Sequence, residues 1–506
     1  MQRRNLFRFL AVLLGLAPFV VIELVLVATG AGNPDLAEDP LLGFSGMRPL
    51  FTLNENGTQY EISRQRLTYF RPQSFPAKKS PDEFRIFCLG GSTVQGRPYA
   101  VETSLTTWMA LNLRLADTSR QWTVVNCGGV SYASYRLVPI LQEVLGYEPD
   151  LVILYTGHNE FLEDRTYDSL KRRPWLLKKA QSAACHWRTY VVAQTALNRW
   201  WRSKDHSTDD GRDVVSAEVE AMLDYENGLA QYAWDEPWRD GVVAHYEINI
   251  RRAVAIAREA GVPLLLVNPV ENLRDCPPFK VVPREGLGDV DRAKLAELLD
   301  QGRAFYHGPQ RDLAAAAARF ERALAIDDRH AGARYELAEC YDQLGLTDQA
   351  RAAYLLAKDT DVCPLRMLES MHAALLDVAN QTGTPLIDAR ALFAARSNGG
   401  IPDGELLIDH VHPNVHGHQI VGEALAQWLI DELELQTAPE WQAARQQAYA
   451  EHLASLDDIY FAQGQERLRE LRGWTKGLAQ LRPPTSPAAQ EAPESSPAVE
   501  PPTPGN

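Results

Sequence analysis

Three short stretches, far apart in the chain, carry side chains with complementary chemistry: Gly90-Gly91-Ser92, Gly157-His158-Asn159-Glu160 and Asp409-His410-Val411-His412. A serine hydroxyl is a weak nucleophile and needs an adjacent base. His412 supplies an imidazole for that task, and Asp409, three residues before it, can fix the imidazole tautomer. Asn159 offers a side-chain amide of the kind that stabilises a developing oxyanion. Together these residues point to acyl transfer, with Ser92 as nucleophile, His412 as base and Asp409 as its orienting carboxylate.

Two other chemistries compete for the same residues. Gly91-Ser92-Thr93-Val94-Gln95-Gly96 has the glycine spacing of a phosphate-binding loop, but Arg97-Pro98 stands where lysine and a hydroxyl residue are required. A metal site could draw on His410, His412, His416 and His418 with Asp409, histidine being the commonest such ligand. Against it, Pro413-Asn414 reads as a helix start, which would turn His416 and His418 to different faces. His158 reads as a residue that shapes the pocket or packs, because Asp409 and His412 already form the better pair. No metal and no cofactor is expected.

The elements that must position these groups follow from hydrophobic patterning. Apolar runs of strand length at 84–89, 122–127, 150–156, 263–268 and 384–388 alternate with helical stretches such as Ser104–Ala116, Val138–Leu145 and Glu247–Ala260. Buried strands alternating with helices imply an α/β fold with a doubly wound, five-stranded parallel sheet, covered on both faces. Ser92 and Asn159 then stand just past the carboxyl ends of strands, where such sheets place their ligands. Residues 31–81 read as a linker with one hairpin around Asn56-Gly57. The segment 166–240, rich in Trp, Arg and Asp, reads as helical and surface-lying.

Within 281–362, Ala316, Phe320, Ala323 and Leu324 recur 34 residues later as Ala350, Tyr354, Ala357 and Lys358, three of the four matching in kind. The order of small and large residues resembles the tetratricopeptide repeat, a helix–turn–helix unit of that period. The first unit carries extra residues around Gly308-Pro309. Fewer than three repeats cannot bury their faces alone, so the insertion is expected to lean on the main domain.

Taken together, the site stretches resemble the SGNH (GDSL-type) hydrolase family of esterases and lipases, over residues 82–165, 245–275 and 365–435. Gly90-Gly91-Ser92 is similar to the family's Gly-Asp-Ser block, with Gly91 in place of aspartate. The stretch from Asn126 to Ser134 is similar to the second block, whose backbone N–H in the oxyanion hole would come from Ser131 or, alternatively, Gly129. Gly157-His158-Asn159-Glu160 resembles the Gly-x-Asn-Asp block, with Glu160 for aspartate, and Asp409 to His412 resembles the Asp-x-x-His block. The resemblance implies a flavodoxin-like three-layer fold and a Ser92–His412–Asp409 triad with Asn159 as side-chain oxyanion donor. It implies an acyl-ester substrate on a small molecule or carbohydrate. An O-acyltransferase or deacetylase acting on cell-envelope polysaccharide would use the same residues. The remaining alternative is an interaction module, built on the repeats, with a vestigial hydrolase site.

Composition and the chain's organisation complete the expectation. The 506 residues carry a net charge of −15, with no basic stripe to neutralise phosphates, which argues against a nucleic-acid partner. Leu6 to Gly30 is nearly unbroken apolar sequence, with Arg3 and Arg4 before it and Arg8 at its start, followed by Asp35, Glu38 and Asp39, with Glu23 as a blemish. That pattern predicts a single-pass anchor with an extracytoplasmic, in a Gram-negative cell periplasmic, catalytic part. The expected units are residues 1–30 (anchor), 31–81 (linker), 82–280 and 363–435 (hydrolase domain), 281–362 (insertion, a candidate protein-binding surface), 436–480 (helices) and 481–506 (disordered tail). Six cysteines show no C-x-x-C pair. Cys276-Pro277 and Cys363-Pro364 flank the insertion, so a disulfide between them is expected if the compartment is oxidising.

Overall fold

The computed structural model describes residues 2–36, 38–39, 41–46, 48–165, 187–190, 192–193, 196, 213–216 and 218–476. Most of the Trp- and Arg-rich segment after residue 165 and the tail after 476 lie outside the described residues. The N-terminal helix α1 (Gln2–Thr29) covers the apolar stretch. Phe19, Val21 and Leu24 on it are exposed, and the Glu23 carboxylate accepts from the backbone N–H groups of Arg188 and Thr189 and from the Thr189 hydroxyl. Among the described residues no helix is long and apolar enough to cross a membrane, so the expected anchor rests on sequence alone.

After β1 (Leu42–Ser45), strands β2 (Phe51–Leu53), β3 (Gln59–Ile62) and β4 (Ser74–Pro76) form a small antiparallel sheet. The Asn-Gly hairpin forms with Leu53 opposite Tyr60. The segment is more than a linker. Phe51 and Phe75 pack edge-on against Phe87 of the main sheet, and Glu143 accepts from the Leu50 and Phe51 N–H groups at 2.7 and 2.8 Å.

The main sheet is wholly parallel and has five strands, β5 (Glu83–Gly90), β6 (Gln121–Gly128), β7 (Leu151–Tyr155), β9 (Leu264–Asn268) and β10 (Leu386–Asp388), ordered β10-β9-β7-β5-β6. Strand β8 (Asp213–Ser216) pairs with β1 instead. The order is that of flavodoxin-like folds, with its switch point between β5 and β7. Alternation along the strands divides the core. Ile86, Cys88 and Ile153 face one layer, and Phe87, Leu89, Val152 and Leu154 face the other.

Helix α2 (Ser92–Gln95) follows β5 directly. Helix α3 (Leu105–Ala116) covers the first layer, and α4 (Ser134–Val144) with α5 (Glu236–Glu259) covers the second. Helix α5 starts eleven residues earlier than periodicity suggests, because Asp235 caps the Trp238 N–H and Pro237 occupies the first turn.

The insertion forms two helical hairpins, α6 (Asp289–His307) with α7 (Leu313–Ile326), and α8 (Ala331–Gln343) with α9 (Thr347–Asp359). Ala316, Phe320 and Ala323 are buried, as are Ala350, Tyr354 and Ala357. The mismatch in the repeat, Leu324 against Lys358, has a tertiary cause. Lys358 is buried, and its ammonium donates to Glu271 Oε1 at 3.0 Å, Glu369 Oε1 at 2.6 Å and the Met367 carbonyl at 2.6 Å. The base of the insertion does close, but not through sulfur. Cys276 and Cys363 are free, buried thiols. The Asp361 carboxylate accepts from the N–H groups of Phe279, Lys280 and Cys363, and Arg366 donates to the carbonyls of Asn272 and Cys276.

The chain returns through α10 (Glu369–Thr382), β10, α11 (Ala389–Ala394) and α12 (Val415–Glu432), which packs beside α3. Two further helices follow, α13 (Trp441–Ala454) and α14 (Asp458–Trp474). Gly464 lets α14 sit on Tyr99, since a Cβ there would lie 2.1 Å from the ring. The Tyr460 hydroxyl bonds the Ala100 N–H and the Thr103 hydroxyl.

Candidate active site

Ser92 is the first residue of α2, and Gly90 is paired level with Gly128 of β6 and Tyr155 of β7. Strand ends from three neighbours therefore open at one height. Asn126, near the end of β6, holds α2 in place: its amide donates to the Val94 carbonyl at 2.6 Å and accepts from the Gly128 N–H at 3.0 Å. Glu160, fully buried, accepts from the Ser134 N–H and hydroxyl and so ties the turn after β7 to the start of α4. Its carboxyl is pushed up by burial.

Asp409 and His412 sit in the loop before α12, whose N-cap is Asn414, accepting from the Gly417 N–H at 2.9 Å. The loop brings His412 across the strand ends. His412 Nε2 lies 2.7 Å from Ser92 Oγ, and Nδ1 lies 2.7 Å from Asp409 Oδ2. A carboxylate accepts only, so Nδ1 carries the hydrogen and Nε2 is left to accept from the serine hydroxyl. Asp409 also accepts from the N–H groups of Val411 and His412. Burial alone would raise its carboxyl, but the His412 and His410 imidazoles and these hydrogen bonds hold it well below the usual carboxylate range.

Asn159 Nδ2 donates one hydrogen to the Tyr132 carbonyl at 2.9 Å and keeps a second. A Cβ at Gly91 would lie 2.5 Å from that nitrogen, so the missing side chain at Gly91 is what lets the amide approach. The two backbone candidates separate cleanly. The Gly129 N–H is committed to the Gly90 carbonyl at 2.9 Å, which removes Gly129 as a donor, whereas no bond is formed by the Ser131 N–H among the described residues. Ser131 adopts φ +63, a left-handed conformation that is strained for a residue with a Cβ.

His158 and His410 line the same cleft as neutral rings. Burial pushes His158 down to about 3 and His410 to about 4. His158 Nδ1 accepts from the Met367 N–H, so it is not the base at Ser92. His416 is exposed and His418 is buried one turn into α12, so the four histidines do not converge on one point.

The cleft has a volume of about 290 Å³, of the size that takes a small ligand. Several of its walls carry no sequence motif. Thr68 and Tyr69 come from the segment read as a linker, Leu365 from just past the insertion, and Leu471 and Trp474 from α14. Trp474 is fixed by its indole N–H on Asp224 at 2.7 Å. Among the described residues one group could hold a cation, Glu271, Glu369 and His372, with ligand atoms within 4.8 Å of one another. The Lys358 ammonium already bonds both carboxylates there, so that group needs no metal to balance its charge.

Comparison with known proteins follows the same division. Residues 310–362 match the tetratricopeptide repeat family. No curated protein matches the sequence. Among solved structures, a lipase/acylhydrolase from Enterococcus faecalis is 12% identical with a TM-score of 0.30, over 70% of this chain and 98% of that one. An acetylxylan esterase from Geobacillus stearothermophilus, solved as a catalytic mutant, is 14% identical with a TM-score of 0.30, over 72% and 98%. A protein of the G-D-S-L lipolytic family from Desulfitobacterium hafniense is 10% identical with a TM-score of 0.27, over 68% and 98%. Likenesses this loose leave the class to the chain's own features, a flavodoxin-like sheet with a Ser–His–Asp arrangement at its switch point. The chain as a whole is an α/β protein of that class interrupted by a tetratricopeptide repeat.

Proposed function

We propose that the chain is a serine esterase of the SGNH type that cleaves acyl esters of small molecules or carbohydrates. The observation that carries the reading is the continuous hydrogen-bonded line from Asp409 through His412 to Ser92, at 2.7 Å for each bond, ending at Ser92 on the wall of a cleft. Ser92 Oγ attacks the ester carbonyl while His412 Nε2 takes its proton. Asn159 Nδ2–H and the Ser131 N–H face the oxyanion, and His412 returns the proton to the leaving alcohol. Water then repeats the sequence on the acyl-serine. Ser92→Ala should abolish turnover of p-nitrophenyl acetate and labelling by a fluorophosphonate while leaving the fold intact. Wild-type rates in that variant would sink the reading. Deacylation that accelerates with an oligosaccharide acceptor would make the protein an acyltransferase using the same groups.

The reading extends to location and partners. The Leu6–Gly30 sequence, its arginine-then-acid flanks and the exposed apolar side chains of α1 support a membrane anchor with the cleft outside the cytoplasm. A phosphatase fused after residue 476 should be active, and a cytoplasm-dependent reporter at that position would reverse the orientation. The repeat hairpins are proposed as the surface for a protein partner.

A further inference from the structure

Arg97 lines the cleft that holds Ser92, and its backbone N–H donates to the carbonyl of Ser92 itself at 3.1 Å. The turn that carries the serine therefore also sets where this guanidinium begins. The side chain is largely withdrawn from water, yet it makes no hydrogen bond or ion pair among the described residues, and its Nε is buried without a partner. A guanidinium is built to bind carboxylate or phosphate through two parallel N–H groups, and a half-buried one whose Nε is withdrawn from water without a partner is costly. Its surroundings add to the cost. Burial, followed by repulsion from Arg71 and Arg467, pulls its titration down, and Glu470 and Asp409 offset this only in part.

The nearby acids do not fill the gap. Asp409 is engaged by His412, and Asp224 accepts from Trp474. Glu470 lines the cleft but stands outside ion-pair distance of Arg97. Arg467, on α14, holds its Nε on the carbonyl of Pro98, the residue after Arg97, at 2.8 Å. In a chain of net charge −15, Arg97 on the cleft wall beside the nucleophile, with Arg71 and Arg467 near enough to repel it, makes a local positive centre that suits an anionic group.

We infer that Arg97, backed by Arg71 and Arg467, is a specificity residue that binds an anionic group on the substrate, a carboxylate or a phosphate close to the esterified hydroxyl. The inference rests on the esterase reading for the word substrate, but the anion subsite exists without it. The test uses full-length Ser92→Ala protein and three probes: glucose, glucuronate and glucose 1-phosphate. Either or both anionic sugars should bind about tenfold or more tightly than glucose by calorimetry, the order expected for hydrogen bonds to a charged group. The one favoured identifies the source of the charge. Arg97→Ala should erase the advantage, Arg97→Lys should restore part of it, and added salt should weaken it. If the alanine variant does not fold, Arg97→Gln is read in the same way. In Ser92-intact protein, monoacetylated glucuronate or glucose 1-phosphate should be turned over in preference to monoacetylated glucose, and Arg97→Ala should collapse that ratio. Equal binding of all three sugars, or an anion advantage that survives loss of Arg97, overturns the inference. Anion binding without any turnover of p-nitrophenyl acetate would instead overturn the esterase reading and leave the subsite standing.

Discussion

Asn159 has one amide hydrogen on Tyr132 and one to spend, and the bare Cα of Gly91 is what leaves it room. Asn159→Ala should lower kcat on a short-chain ester by about 10²–10³-fold, the usual cost of one oxyanion donor, with KM changed little. Gly91→Ala should lower kcat in the same direction through displacement of that amide, and steady-state kinetics on the two variants compare the effects directly. Equal kcat in wild type and Asn159→Ala would remove the amide from the reaction. Ser131 presents the opposite situation. Its N–H is wanted, but its Cβ is carried in a left-handed conformation at φ +63. Ser131→Gly should raise the unfolding free energy by roughly 1 kcal/mol while retaining turnover, because the N–H stays and the strain goes. Urea unfolding checks this, and a less stable glycine variant would show that the serine hydroxyl contributes more than the strain costs.

At the scale of elements, the readable part of the site is the part that local sequence determines. Ser92, Asn159, Asp409 and His412 each stand at the end of an apolar run or before a helix cap, so residue type and position were both on view. The choice between Ser131 and Gly129 was not, because it depends on which N–H the end of β5 consumes. Nor were Tyr69, Leu471 and Trp474, which reach the cleft only after two distant segments have packed. All five strands of the sheet were legible from nearly continuous apolar runs, β5, β7 and β9 largely buried and β10, at the sheet edge, half-buried. β4 was not, being three residues of an antiparallel sheet with no periodicity to read. Lys358 shows how a departure from a repeat carries tertiary information. It breaks the pattern at the point where α9 meets Glu271, beyond the end of β9, and Glu369, at the start of α10. Lys358→Ala leaves the buried Glu271 with Arg390 at 3.4 Å and His372 at 3.3 Å beside it, and the loss should approach the lower end of the ~3–5 kcal/mol that breaking a buried pair costs. Loosening should be greatest in the insertion, visible as faster hydrogen exchange over 289–359 than over the sheet. Combining Lys358→Met with Glu271→Gln should recover much of the loss, and a double-mutant cycle with no coupling would show that the pair does not dock the insertion.

The whole molecule should be acid-labile, and the reason is its buried neutral imidazoles. His158 and His418 are pushed down by burial to about 3 and His410 to about 4, against an ordinary 6.5. Below pH 6.5 the unfolded chain takes up protons at these positions that the folded chain refuses. Their contribution to stability is therefore complete above about 6.5 and is lost progressively as pH falls towards 4 and 3. Asp409, held low by His412 and His410 despite burial, adds a loss of the same sign below the ordinary carboxylate range. Raised carboxyls and a shrinking net charge oppose this. Glu339 is raised by burial and by Glu336 to about 7, and Asp361 by burial to about 6. Burial raises Glu160, Glu336, Asp224 and Asp359 in the same direction. The contributions of these groups favour the fold at acid pH and fade as pH rises through the raised values. The net charge of −15 also shrinks on acidification, which relieves self-repulsion, but charges spread over a surface are screened beyond about 8 Å at physiological salt. The neutral rings of His158, His410 and His418, joined in the same direction by His372 and His330 and by the lowered carboxyls of Asp409, Glu271 and Asp39, outweigh the raised carboxyls and a screened surface. The urea midpoint should hold between pH 8 and 7 and then fall steadily from 6.5 to 4. His418 has no ring nitrogen bonded and stands outside the cleft lining, so His418→Leu should flatten that slope by about one proton without touching the serine, and an unchanged slope would remove His418 from the account.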